Sequence, residues 1–133
     1  MHKIENDFSK LWLENSILHS CFTVPVNMTL DKVKEFINMR HEVSNGNKQY
    51  WCYDLHNLKD FPKEVRDYVG IHGQEYLHAT AAVTDSHITK YFVNIFLKIK
   101  APPTPFKAFT TKEDALEWLH ERKAENEKNA DLK

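Results

Sequence analysis

At 133 residues the chain is about one domain long, and its 41% hydrophobic and 28% charged residues are ordinary for a globular fold. Its 18 Lys and Arg against 19 Asp and Glu leave a net charge of −1. With no basic stripe beyond a mild surplus at Lys98, Lys100 and Lys107, nucleic acid is not expected as a partner.

The first residues, Met1-His-Lys-Ile-Glu-Asn-Asp, are polar and unlike a secretory signal. The most apolar stretch, Tyr91 to Leu97, is interrupted by Asn94 and is too short to span a bilayer. Cys21 and Cys52 lack CxxC or zinc spacing, so two free thiols and a cytoplasmic location are expected. Residues 1–124 read as one α/β domain, with a charged, frayed tail over 125–133.

Ser9-Lys-Leu-Trp-Leu-Glu alternates polar and apolar residues, as does the start of Ser16-Ile-Leu-His-Ser-Cys-Phe. With Glu14-Asn15 between them, the two runs predict an N-terminal β-hairpin. Thr29 offers a helix cap, and Leu30, Val33, Ile37 and His41 follow at helical spacing, flanked by Phe36 and Met39. Asn45-Gly46-Asn47 should stop that helix. Gln49-Tyr-Trp-Cys-Tyr-Asp54 is short and aromatic, as a strand buried on both faces should be.

Asp60 can cap a second helix with Pro62 in its first turn, and Val65, Tyr68, Val69, His72 and Tyr76 fall on one face. Gly70 and Gly73 weaken it by about 1 kcal/mol each relative to Ala. Ala79-Thr-Ala-Ala-Val-Thr84 is another buried strand. Residues 87–100 fit both periods: Ile88, Phe92, Ile95 and Ile99 a helix, Val93, Ile95, Leu97 and Ile99 a strand. Length favours the helix. After Pro102, Pro103 and Pro105, Phe106 to Phe109 form a last strand. Thr110 and Glu113 then read as a capping box for a helix with Ala115, Trp118 and Leu119 inside.

The expected order is ββαβαβαβα, a mixed, mainly parallel sheet with four helices and right-handed crossovers. Order and local words together resemble the SpoIIAA-like, STAS-like superfamily, which includes anti-sigma-factor antagonists, and in particular its small stand-alone bacterial domains. The words are Lys10-Leu-Trp-Leu-Glu-Asn, Tyr53-Asp54 with Lys63-Glu-Val-Arg-Asp-Tyr-Val, Ala81-Ala-Val-Thr-Asp-Ser, Asn94-Ile-Phe-Leu-Lys, Pro105-Phe-Lys-Ala-Phe-Thr and Glu113-Asp-Ala-Leu-Glu-Trp-Leu. The resemblance spans roughly Lys10 to Leu119. It implies helices mainly on one side of the sheet, a helix over 87–100, and regulation by binding a kinase or switch protein. Lipid-transfer domains of CRAL-TRIO type are sometimes grouped with it. The antagonists' phosphorylatable Ser is missing: Leu58-Lys-Asp-Phe-Pro-Lys carries no hydroxyl, and Asp60 supplies only a fixed charge there.

Eight histidines show neither HxH nor HExxH spacing, so no metal is expected. Ligands favour the carboxyl ends of strands in open α/β sheets. That rule gathers Asp54, His56, Asp85, Ser86 and His87 as a binding constellation with Asp60 nearby, against the plainer reading that Asp85 and Ser86 merely cap a helix. Ser86 beside His87 lacks a nucleophile elbow, and three glycines make a phosphate cradle hard to build. Neither an enzyme nor a cofactor is expected. Tyr91, Phe96 and Leu97 exceed what one core stripe needs and form an expected apolar contact surface. It would serve a protein partner, a second copy in a homodimer, or a lipid or small apolar ligand in a pocket beside residues 87–100.

Overall fold

Asn15 and Ser16 both take left-handed backbone, with φ of 52° and 67°, the conformation that joins antiparallel strands through two residues. In the computed structural model, which describes residues 3–85 and 104–131, they link β2 (Ser9–Glu14) to β3 (Ile17–Phe22) in the expected hairpin. The turn itself sits one residue later than Glu14-Asn15. Strand β1 (Lys3–Glu5), which nothing in the sequence marked, pairs antiparallel with β2. Strands β5 (Gln49–Asp54), β7 (Leu77–Val83) and β8 (Phe106–Phe109) continue in parallel, giving the order β1-β2-β3-β5-β7-β8. A separate parallel pair joins β4 (Val26–Asn27) to β6 (Leu58–Asp60).

Helix α1 (Leu30–Ser44) starts as predicted: the Thr29 hydroxyl accepts from the Lys32 N–H at 3.2 Å. Asn45, at φ 49°, closes it by donating its N–H to the His41 carbonyl. Helix α2 (Lys63–His72) departs from expectation. Asp60 does not cap it but lies in β6, and Pro62 occupies the cap position with no side-chain hydrogen bond. Backbone pairing won: the Asp60 carbonyl accepts from Met28 N–H, which draws the residue into the small sheet.

Helix α3 (Lys112–Asp131) is capped by Thr111 rather than Thr110, its hydroxyl accepting from the Asp114 N–H at 3.2 Å. It also continues to Asp131, through most of the stretch expected to fray. Ion pairs Arg122–Glu125 and Lys123–Glu127, and a 2.8 Å hydrogen bond from Asn126 to the Tyr50 hydroxyl, support those turns.

The described residues contain three helices, not the four expected; the expected helix over 87–100 lies outside the described residues. Among the described residues, two helices cover one sheet face and one covers the other. Leu11, Leu18 and Trp51 meet Val33, Phe36, Ile37 and Val65 from α1 and α2. Ile17, Cys52, Ala79 and Ala81 meet Ala115 and Leu119 from α3. The alternation of side chains along each strand divides the core in this way. No helix among the described residues is long and apolar enough to cross a membrane.

Candidate functional site at the carboxyl ends of the strands

Parallel strands deliver their carboxyl ends, and the loops that follow, to one side of the sheet. Here the loops after β3, β5 and β7 are fastened to one another. Asn57, at φ 71°, donates its side-chain amide to the Phe22 carbonyl at 3.0 Å. Its own carbonyl accepts from Val26 N–H at 2.7 Å, and Leu55 N–H donates to the Val83 carbonyl at 2.8 Å. These bonds cross from the β5 loop to the β3 loop on one side and to the end of β7 on the other.

On this base sit three of the residues that the strand-end rule singles out. Asp54 Oδ1 accepts from the His56 backbone N–H at 2.9 Å and lies 2.5 Å from His56 Nδ1. A carboxylate oxygen can only accept, so Nδ1 carries a proton and donates. In the neutral ring Nε2 is then an acceptor, and it faces Asp85 Oδ2 at 3.9 Å. That separation is too long for a direct hydrogen bond. His56 and Asp85 are open to solvent, with side-chain exposures of 46% and 76%, while Asp54 is at 32%. Val24, in the loop after β3, is 45% exposed.

Asp60 is exposed on β6, and its side chain makes no hydrogen bond or ion pair among the described residues. Ser86 and His87 lie outside the described residues, as do Tyr91, Phe96, Leu97 and the pocket expected beside residues 87–100. Sequence reasoning missed Asn57 and Val24. Asn57 had a signal, because an Asn just past a strand end readily takes left-handed backbone; Val24 had none.

Among the described residues no group of three or more His, Cys, Asp or Glu could hold a metal ion. Neither cysteine is disulfide-bonded. Burial pushes both thiols up, Cys52 to about 11, so both stay protonated near neutral pH and are poor nucleophiles.

The family described as "Domain of unknown function (DUF7793)" matches residues 11–123. No match was found among curated proteins. Among solved structures, the chain is similar to an uncharacterised protein of the DUF3478 family with a SpoIIAA-like fold, from Shewanella loihica PV-4. The TM-score is 0.65 at 16% identity, covering 87% of this chain and 98% of that one. At that identity the likeness speaks to the fold, which is SpoIIAA-like here too, and no enzymatic family is indicated.

Proposed function

The chain belongs to the DUF7793 family, and from its SpoIIAA-like fold and strand-end site we propose that it is a non-enzymatic, regulatory protein-binding module. The superfamily it resembles includes regulators that bind a kinase or switch protein. The observation that carries the reading is the pair of acceptors left facing each other, His56 Nε2 and Asp85 Oδ2, 3.9 Å apart. A Lys ammonium or Arg guanidinium from a partner can donate to both, and Asp54 fixes the imidazole in the tautomer that accepts. Exposed Val24, in the loop after β3, adds apolar area at the same end of the sheet. Cross-loop hydrogen bonds hold the surface ready, which lowers the ordering cost of binding.

The mode of regulation differs from the phosphorylated antagonists. The start of α2, where their Ser stands, offers Pro62 and Lys63, and binding here is governed by the partner's basic group. Affinity capture from native cell lysate tests the reading, with wild type and Asp85→Lys as baits. Asp85 is so exposed that the change leaves the fold intact, which circular dichroism checks. A protein retained by wild type and lost from Asp85→Lys is expected. Equal retention of every captured protein by both baits overturns the reading.

A further inference from the structure

A groove of about 680 Å³ opens at the opposite end of the sheet, between the β2–β3 turn, the first residues of β5 and β7, and the last turns of α3. Its lining includes Lys48, Tyr50, His78, Asn126, Leu13 and Ala130. The volume is within the range of small-molecule sites.

The backbone is irregular where the groove is formed. Gln49 pairs with Leu77 and Tyr50 with Ala79, so His78 is the extra residue of a bulge in β7. Bulges re-aim side chains, and this one lays the His78 ring over Tyr50, with centroids 4.8 Å apart and planes within 22°. Tyr76, just before the bulge, takes left-handed backbone at φ 59°, uncommon for a bulky residue. Its carbonyl accepts from Gln49 N–H at 2.9 Å, which fastens the two strand starts together. The result is a floor of two stacked rings, with His78 lying over the buried Tyr50.

The polar groups around this floor differ in what they still need. Tyr50, only 7% exposed, accepts from Asn126 Nδ2 at 2.8 Å, which leaves its own hydroxyl proton to donate. Lys123 is paired with Glu127 at 2.7 Å. Lys48 makes no hydrogen bond or ion pair among the described residues. Its charge acts directly on His78, whose pKa is lowered by burial and then by Lys48, so that the ring is neutral at pH 7. A cation with no ion pair among the described residues and a free hydroxyl donor therefore flank a neutral aromatic floor, and Leu13 and Ala130 line the walls.

We propose that this groove binds a small planar aromatic monocarboxylate, its ring on His78, which is stacked over Tyr50, and its carboxylate on Lys48 and the Tyr50 hydroxyl. Offset stacking on the His78 ring favours a flat aromatic body over a saturated one. Glu14 on the hairpin rim disfavours a second negative charge. The site is independent of the strand-end surface, and its failure leaves that reading untouched.

Two-dimensional amide NMR titration of the full chain tests it, using indole-3-carboxylate, with cyclohexanecarboxylate and neutral indole as comparisons. Saturable shifts at residues 48–50, 78 and 126, and not at 54–57, are expected with the aromatic acid. Lys48→Met and Tyr50→Phe, each removing one donor, should each weaken binding by roughly fivefold to tenfold. Absence of saturation, equal binding of either comparison compound, or unchanged affinity in both variants overturns the proposal.

Discussion

Arg40 lies wholly buried, its guanidinium stacked 4.9 Å over the ring of Trp51. Its Nη1 donates to the Glu75 carbonyl at 2.9 Å and its Nη2 to the Gly73 carbonyl at 3.1 Å. The chain thus uses a cation from α1 to hold down the loop between α2 and β7, the segment that leads into the bulge at His78. Burial lowers the Arg40 pKa to about 10, which leaves it charged at neutral pH.

Arg40→Met should therefore be costly although Met fills much of the same space. It leaves two backbone carbonyls without their donor, at about 1–3 kcal/mol for each unsatisfied group. Urea denaturation should report a loss of about 2–4 kcal/mol. A loss below about 1 kcal/mol would mean that water replaces the guanidinium freely.

His19 is buried beneath Trp12, with ring centroids 5.2 Å apart and planes within 10°. Burial, then the charge of Lys112, pulls its pKa from 6.5 to about 4. The folded protein thus resists a proton that the unfolded chain accepts. The stability this provides is complete above pH 6.5 and is lost as pH falls toward 4. Linkage puts the loss on the order of 2–3 kcal/mol. Chemical denaturation at pH 7 and pH 4 should show that fall in wild type and a smaller one in His19→Leu. Equal slopes in the two proteins would remove His19 from the acid response.

Leu119 and Trp118 should separate in their contributions to α3 docking. Leu119 is 0% exposed, whereas Trp118 is half-buried, with the Phe109 ring at 5.8 Å and the Arg122 guanidinium at 5.9 Å. Leu119→Ala should lose about 2–5 kcal/mol. Trp118→Ala should lose less than that, because its ring already meets solvent. A larger loss at Trp118 in denaturant titration would make the tryptophan the anchor instead.

Trp51 also donates its indole N–H to the Ser20 hydroxyl at 2.8 Å inside the core. Ser20→Ala should destabilise by about 1–3 kcal/mol, since it orphans a buried donor. Ser20→Thr keeps the hydroxyl and should recover part of the loss in the same titration. Equal losses for both variants would show that packing, not the hydrogen bond, matters at this position.

What was legible in the sequence was local. Alternation placed β2 and β3, helical spacing placed α1, and Thr29 and Asn45 marked its ends because their side chains and backbone preferences act within a few residues. Long-range partners were not legible. No local pattern singles out Arg40, whose partners are the carbonyls of Gly73 and Glu75, more than thirty positions away. Asp60 has every local feature of a cap, yet β4 claimed its backbone. Strands β1, β4 and β6 are too short to carry a pattern of their own.

The two candidate sites divide in the same way. Asp54, His56 and Asp85 could be gathered by rule, since parallel strands end together. The groove at the other end could not, because His78 reaches Tyr50 only through a register shift between β5 and β7.

Hydrogen exchange on the protein with and without a captured partner tests the protein-binding account most directly. The account predicts slower exchange on binding in the loops at residues 23–25 and 55–57 and at Asp85, and no such protection in Asp85→Lys mixed with the same partner. Protection confined to α3 or to β1, with those loops unchanged, would contradict it.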